Sequence, residues 1–251
     1  MRKWSLYAAS SLAAFALHAE VAKDDGWYDS TLFATAVVDV DSQGKISKLE
    51  ILPAANQKLP ASLTTLAETT MRQWEFVPAT LNGAPAPAHT YLHVNFQLRK
   101  NGRDYDARVR YLSNGPMIEK SSSLRYPVDM IHARIQAELT MLAQVQPDGS
   151  LSNIRLESAS STLKHPVNEF VRSATIAMKD WHAKPETVAG HAVATWVRMP
   201  ITYYLQNNVN DLRIDLQLER AVDSPADGPK TDAGVQALAL DSPLKLKNQS
   251  P

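Results

Sequence analysis

The residues able to do chemistry are few and scattered. The chain has no cysteine, which removes thiol nucleophiles, Cys-ligated zinc, iron–sulfur clusters and disulfides together. Of the seven histidines, His182 and His191 are nine positions apart with no third ligand at metal spacing, so no metal site is expected. There is no Gly-x-Ser-x-Gly elbow, no His-Glu-x-x-His and no phosphate-cradling glycine loop. Asp24-Asp25 and Asp104-Tyr105-Asp106 pair carboxylates, but both lie between patterned segments and read as solvated. The reading is therefore a non-enzyme with no catalytic residue and no cofactor. Lys+Arg 26 against Asp+Glu 26 leaves no electrostatic footprint for nucleic acid or an anionic membrane surface.

With 44% hydrophobic and 21% charged residues the 251-residue chain can bury a core, and its patterning falls into two similar passages. In the first, β-branched Leu32 to Val40, the turn Asp41-Ser42-Gln43-Gly44 and alternating Lys45 to Ile51 predict a hairpin. Leu59 to Trp74 then carries Leu63, Leu66, Ala67, Met71 and Trp74 at helical spacing, and Pro78 follows. Asn82 to Pro87 is a loop, and Tyr91 to Leu98 a strand. The second passage repeats this: strand Leu139 to Val145, turn Pro147-Asp148-Gly149, strand Leu151 to Leu156, helix Val167 to Trp181, Pro185, and a strand from Ala194 to Leu205. Gly44 and Gly149 are 105 apart, while Met71/Met178, Trp74/Trp181 and Pro78/Pro185 are each 107 apart.

The fold class predicted is α+β, as two tandem small domains, each a three-stranded antiparallel sheet with one helix across a face. Gly44 and Gly149 make the turns, and Met71, Trp74, Met178 and Trp181 plug the two cores. The boundaries are 26–100 for the first domain, 101–123 for a linker with a short strand, and 124–206 for the second. A further edge strand follows at 207–220 and a disordered tail at 221–251.

Arg2-Lys3, the uncharged run Trp4 to Leu17 and the small residue Ala19 have the grammar of a signal peptide over residues 1–19. The uncharged run is shorter than the roughly 20 residues that span a bilayer. Export to a periplasm is expected, the alternative being an uncleaved segment that anchors the chain in the inner membrane.

The second passage resembles the C-terminal domain of TonB-family energy transducers. The resemblance rests on Arg125-Tyr126-Pro127-Val128 with a short helix after it, Gln146-Pro147-Asp148-Gly149, Met178-Lys179-Asp180-Trp181 and Val197-Arg198-Met199-Pro200-Ile201-Thr202-Tyr203. It covers roughly 124–206 and, more loosely and without the Tyr-Pro opening, 30–100. Transducers of that family also bear a membrane-spanning helix with Ser and His one turn apart, whereas Ser11 and His18 here are seven apart.

The resemblance implies a binding module that captures an extended segment of an outer-membrane receptor, or of another envelope protein, by adding it as a strand in envelope transport. The strand implied is Val197 to Tyr203, with Val197, Met199, Ile201 and Tyr203 as partner-binding residues. Pro200 fits an edge, because a proline there removes a ladder donor. Proline at Val197 or Ile201 is expected to weaken capture and spare the fold. The equivalent edge in the first passage is Tyr91 to Leu98. The alternatives are a structural or assembly protein whose two edges pair with each other and, if the leader is not cleaved, a short membrane-anchored energy transducer.

Overall fold

The computed structural model describes residues 26–52, 59–119, 122–164, 166–205, 212–215 and 237–247. The leader expected at 1–19 lies outside them. The first half runs β1 (Tyr28–Val40), β2 (Ile46–Leu52), α1 (Ala61–Met71), β3 (Phe76–Val77), β4 (Ala79–Leu81), β5 (Ala84–Ala86) and β6 (Ala88–Asn101). Between the halves come β7 (Asp104–Gly115), β8 (Met117–Glu119) and the short α2 (Val128–His132). The second half runs β9 (Ala137–Val145), β10 (Leu151–Ser161), α3 (Asn168–Lys179), β11 (His182–Lys184), β12 (Thr187–Val188), β13 (His191–Ala192) and β14 (Thr195–Leu205). After it come β15 (Leu212–Asp215), β16 (Leu238–Ala239) and β17 (Lys245–Leu246).

One sheet has the order β13-β12-β6-β1-β2 with β7 also on β6, and the other has the order β10-β9-β14-β15 with β16 also on β14. Each has its own apolar core. The first gathers Val38, Leu92, Val94 and Phe96 of the sheet with Ala67 and Met71 of α1 and with Trp74. The second gathers Met141, Val197, Met199 and Tyr203 with Phe170, Ala174 and Met178 of α3 and with Trp181. In α3 the buried positions 170, 174, 177 and 178 recur at one-turn spacing, so one stripe faces the sheet while Arg172 and Lys179 stay on the wet side. Trp181 is also hydrogen-bonded, its Nε1 donating to the Ser122 carbonyl at 2.8 Å.

The turns of the two halves match atom for atom. Gly44 N–H donates to the Asp41 carbonyl and Gly149 N–H to that of Gln146, while Asp41 and Gln146 N–H donate to Lys45 and Ser150 carbonyls. Both glycines have φ near +85°, and a Cβ on either would overlap a backbone carbonyl oxygen, of Phe76 for Gly44 and of Ala183 for Gly149. Those carbonyls belong to residues whose N–H groups donate back to the glycine carbonyls, Phe76 to Gly44 and Ala183 to Gly149, both at 2.8 Å. Asn82-Gly83 and Ala189-Gly190 likewise form turns with both φ positive, closing the β4–β5 and β12–β13 pairs.

Three expectations change. The segment 101–123 is no linker with a short strand: β7 pairs with β6 from Tyr91↔Gly115 to Asn101↔Asp104. Tyr91 to Leu98 is therefore an inner strand between β1 and β7, and the sheets hold six and five strands instead of three each. The punctuation at Asn101-Gly102-Arg103 is a hairpin tip, which sequence alone does not distinguish from the start of a linker. Lastly, residues 237–247 lie within the segment expected to be disordered, yet Ala237 and Leu244 are buried and β17 pairs with β3. Their short apolar alternation, Leu240, Leu244 and Leu246, is masked by the Ser-, Pro- and Asp-rich stretch before it.

Candidate functional site

β14 is held along its whole inner side by β9, in unbroken register from Thr195↔Val145 to Tyr203↔Ala137. Its outer side is the strand edge singled out by sequence. The Trp196 carbonyl accepts the Leu240 N–H at 2.8 Å, and the Trp196 N–H donates to Asp241 Oδ1 at 2.7 Å, so Trp196 presents both backbone groups outward. Antiparallel pairing alternates these directions, so Arg198, Pro200, Thr202 and Tyr204 also point outward, and Val197, Met199, Ile201 and Tyr203 point to β9.

The four residues expected to meet a partner are thus turned inward. Val197, Met199, Ile201 and Tyr203 are fully buried. The Tyr203 ring packs on Phe170 and Tyr126, with centroids 4.9 and 5.6 Å away, and burial pushes its hydroxyl pKa up to about 12. The opposite face of the strand carries Trp196, under Arg155 at 4.5 Å, and Arg198, paired with Glu157. Pro200 is tolerated because its absent N–H would have pointed away from β9, which leaves the inner ladder intact.

Most of the outer side is already occupied by the chain itself. β16 pairs at Val197↔Ala239 and Arg198↔Leu238, and β15 pairs from Thr202↔Asp215 to Leu205↔Leu212. Between the two, Met199–Ile201 have a ladder partner on β9 alone among the described residues. The edges of the two halves do not pair with each other among the described strands. Instead β12 joins the first sheet, Thr187↔His89 and Val188↔Ala88, just before the point where β7 takes over the same side of β6.

Beside this edge lies a buried polar cluster that sequence reading missed. Glu186 is fully buried and accepts hydrogen bonds from Thr90 Oγ1 (2.6 Å), Ser242 Oγ (2.7 Å) and Thr195 Oγ1 (3.1 Å), one donor each from β6, the C-terminal segment and β14. Ser242 Oγ in turn accepts from Asn114 Nδ2 at 2.7 Å, and Asn114 Oδ1 accepts from the Tyr111 hydroxyl. Burial pushes the Glu186 carboxyl up, and the three hydroxyl donors pull it back only in part. The cue available in sequence was an acid one residue after Pro185, where the first passage has Ala79 after Pro78. Among the described residues no group of three or more His, Asp or Glu could hold a metal, and no helix is long and apolar enough to cross a membrane.

Residues 122–205, from just before α2 to the end of β14, match the family model for the Gram-negative bacterial TonB protein C-terminal. No curated protein matches the chain.

Proposed function

We propose that this chain, whose residues 122–205 carry a TonB C-terminal domain, is a non-enzymatic periplasmic binding protein that captures an extended segment of an envelope protein along β14. TonB-family proteins are envelope-associated and their C-terminal domains meet outer-membrane receptors, and these general properties support the reading. The observation that carries it is the outer side of β14, whose outward backbone groups at Trp196, Arg198 and Thr202 are met by short strand-like segments of the chain itself, so this edge accepts added strands. Main-chain groups of that kind bind an added strand with little demand on its sequence. In this reading Val197, Met199, Ile201 and Tyr203 contribute by holding the strand flat against α3, while the outward residues meet the partner. The first half is read as a degenerate copy of the same domain whose own edge is closed by β7.

The test is photocrosslinking in cells with benzoylphenylalanine in place of Pro200, followed by mapping of the crosslinked peptide. An extended segment of an envelope protein supports the proposal, and no crosslinked partner overturns it. A second reading, an assembly protein with no edge to offer, is favoured by the cover that β15 and β16 already give β14. Hydrogen exchange of the isolated chain separates the two: amides of Arg198 and Thr202 that exchange only with global unfolding favour the closed form, and amides that exchange through local opening favour capture.

A further inference from the structure

The segment 237–246 lies on β14 in the way an added strand would. Leu238-Ala239 runs antiparallel to Val197-Arg198, the Leu240 N–H continues the ladder, and Asp241 takes the Trp196 N–H that ends it. The fit extends to side chains. Gly115, at the end of β7, has φ +156°, and a Cβ there would come within 2.7 Å of the Ala239 Cβ, so the groove accepts a small residue at this point. Leu244, beyond the ladder, is buried in the first core.

The occupancy is nevertheless incomplete. Between β7 and the segment an open pocket of about 360 Å³ remains, lined among others by Tyr111, Ser113, Leu240 and Ser242. Ser113 is buried and its hydroxyl has no hydrogen-bond partner among the described residues. The hold also passes through Ser242 to Glu186, a buried carboxylate that no cation faces among the described contacts. An occupant that leaves an open pocket beside it and an unsatisfied hydroxyl is one that a better-matched strand can displace.

We propose that residues 237–246 are a built-in competitor for the partner strand: they fill the groove between β14 and β7 at rest, and an extended segment of an envelope protein with the same order, apolar, small, apolar, acidic, displaces them. This rests on the reading of β14 as the capture edge. The fraction of molecules with the groove open then sets the apparent affinity.

The experiment uses the full chain and a fluorescein-labelled peptide copying residues 236–247. In the double variant Asp241→Ala with Ser242→Ala the competitor is loosened, and the peptide is expected to bind at least tenfold more tightly than to the unaltered chain. In the variant Arg198→Cys with Leu238→Cys, facing positions of the β14–β16 pair, oxidation staples the competitor down. Peptide binding is then lost and returns on reduction, a reversibility that a misfolded protein would not show. The chain has no other cysteine to interfere. Equal peptide binding by the unaltered, loosened and stapled forms overturns the proposal. So does a loosened variant that takes up the peptide only as a dimer on size-exclusion chromatography, which would make a second copy the occupant.

Repeating the Pro200 crosslinking in all three backgrounds keeps the two readings apart. A partner caught equally in all three sinks the competitor and leaves strand capture standing. No partner in any of them, with peptide binding as expected, sinks strand capture alone.

Discussion

Glu186 stands one residue after Pro185 in the position that Ala79 holds one residue after Pro78. The Glu186 carbonyl accepts the Val193 N–H at 3.0 Å, as Ala79 pairs with Ala86 across the matching turn. One half of the chain thus fills this place with a methyl group and the other with a carboxylate. The exchange turns a packing position into a junction of β6, β14 and the C-terminal segment.

Because burial raises the Glu186 carboxyl above its unfolded value, the group favours the folded state below that value, and the benefit is lost as pH rises through the folded pKa. Asp241 adds to the rise, and Tyr111, whose own pKa burial raises, is held neutral nearby. Urea denaturation at several pH values between 5 and 8 should show Glu186→Gln gaining on the unaltered protein as pH increases. A difference that stays flat would show that the carboxyl is not titrating in this way.

His93 works in the opposite sense. It is buried beside Thr35 Oγ1 at 3.1 Å, and burial lowers its pKa to about 4. Its contribution is full above the unfolded value near 6.5 and disappears as pH falls toward 4, about 3 kcal/mol in all. In His93→Gln that part of the acid loss should vanish, read from denaturation midpoints at pH 7 and pH 4.5.

Gly44→Ala and Gly149→Ala should each cost about 1–3 kcal/mol, since both combine a positive φ with a carbonyl where the methyl would go. Gly83→Ala, with a positive φ and nothing near its would-be Cβ, is the control and should cost less. Chemical denaturation of the three variants side by side gives the ranking.

The direction of the β14 backbone changes what a proline does there. Val197→Pro and Ile201→Pro would remove N–H groups that bond to β9 and empty two core positions, so both should unfold the second half. Arg198→Pro and Thr202→Pro remove outward N–H groups and should leave circular dichroism near that of the unaltered chain while reducing strand capture. A folded Val197→Pro protein would show that the alternation has been assigned the wrong way round.

The parts of the fold legible in sequence were those set by local chemistry. Asp41-Ser42-Gln43-Gly44 and Pro147-Asp148-Gly149 fix their turns through hydrogen bonds spanning four or five residues, and Met178 with Trp181 declares the buried face of α3 by spacing alone. Which strand stands beside which is decided by contacts far apart in the chain, and no local pattern reports them. Alternation along Val197 to Tyr203 identified a strand with one apolar face, but the same alternation means that the apolar residues are the core. The edge-facing ones were their neighbours. Glu186 was hidden for the same reason: its donors come from positions 90, 195 and 242.

Leu244 is buried in the first core, and Lys245-Leu246 pairs with Phe76-Val77 across some 170 residues of chain. In the order of synthesis, the half made first is therefore the half finished last. Phe76 and its neighbours wait with an open side until residue 246 has emerged, long after the residues of β6 and β7 have been made. Over that interval, any extended apolar segment nearby meets the same vacancy that Leu244 will later fill.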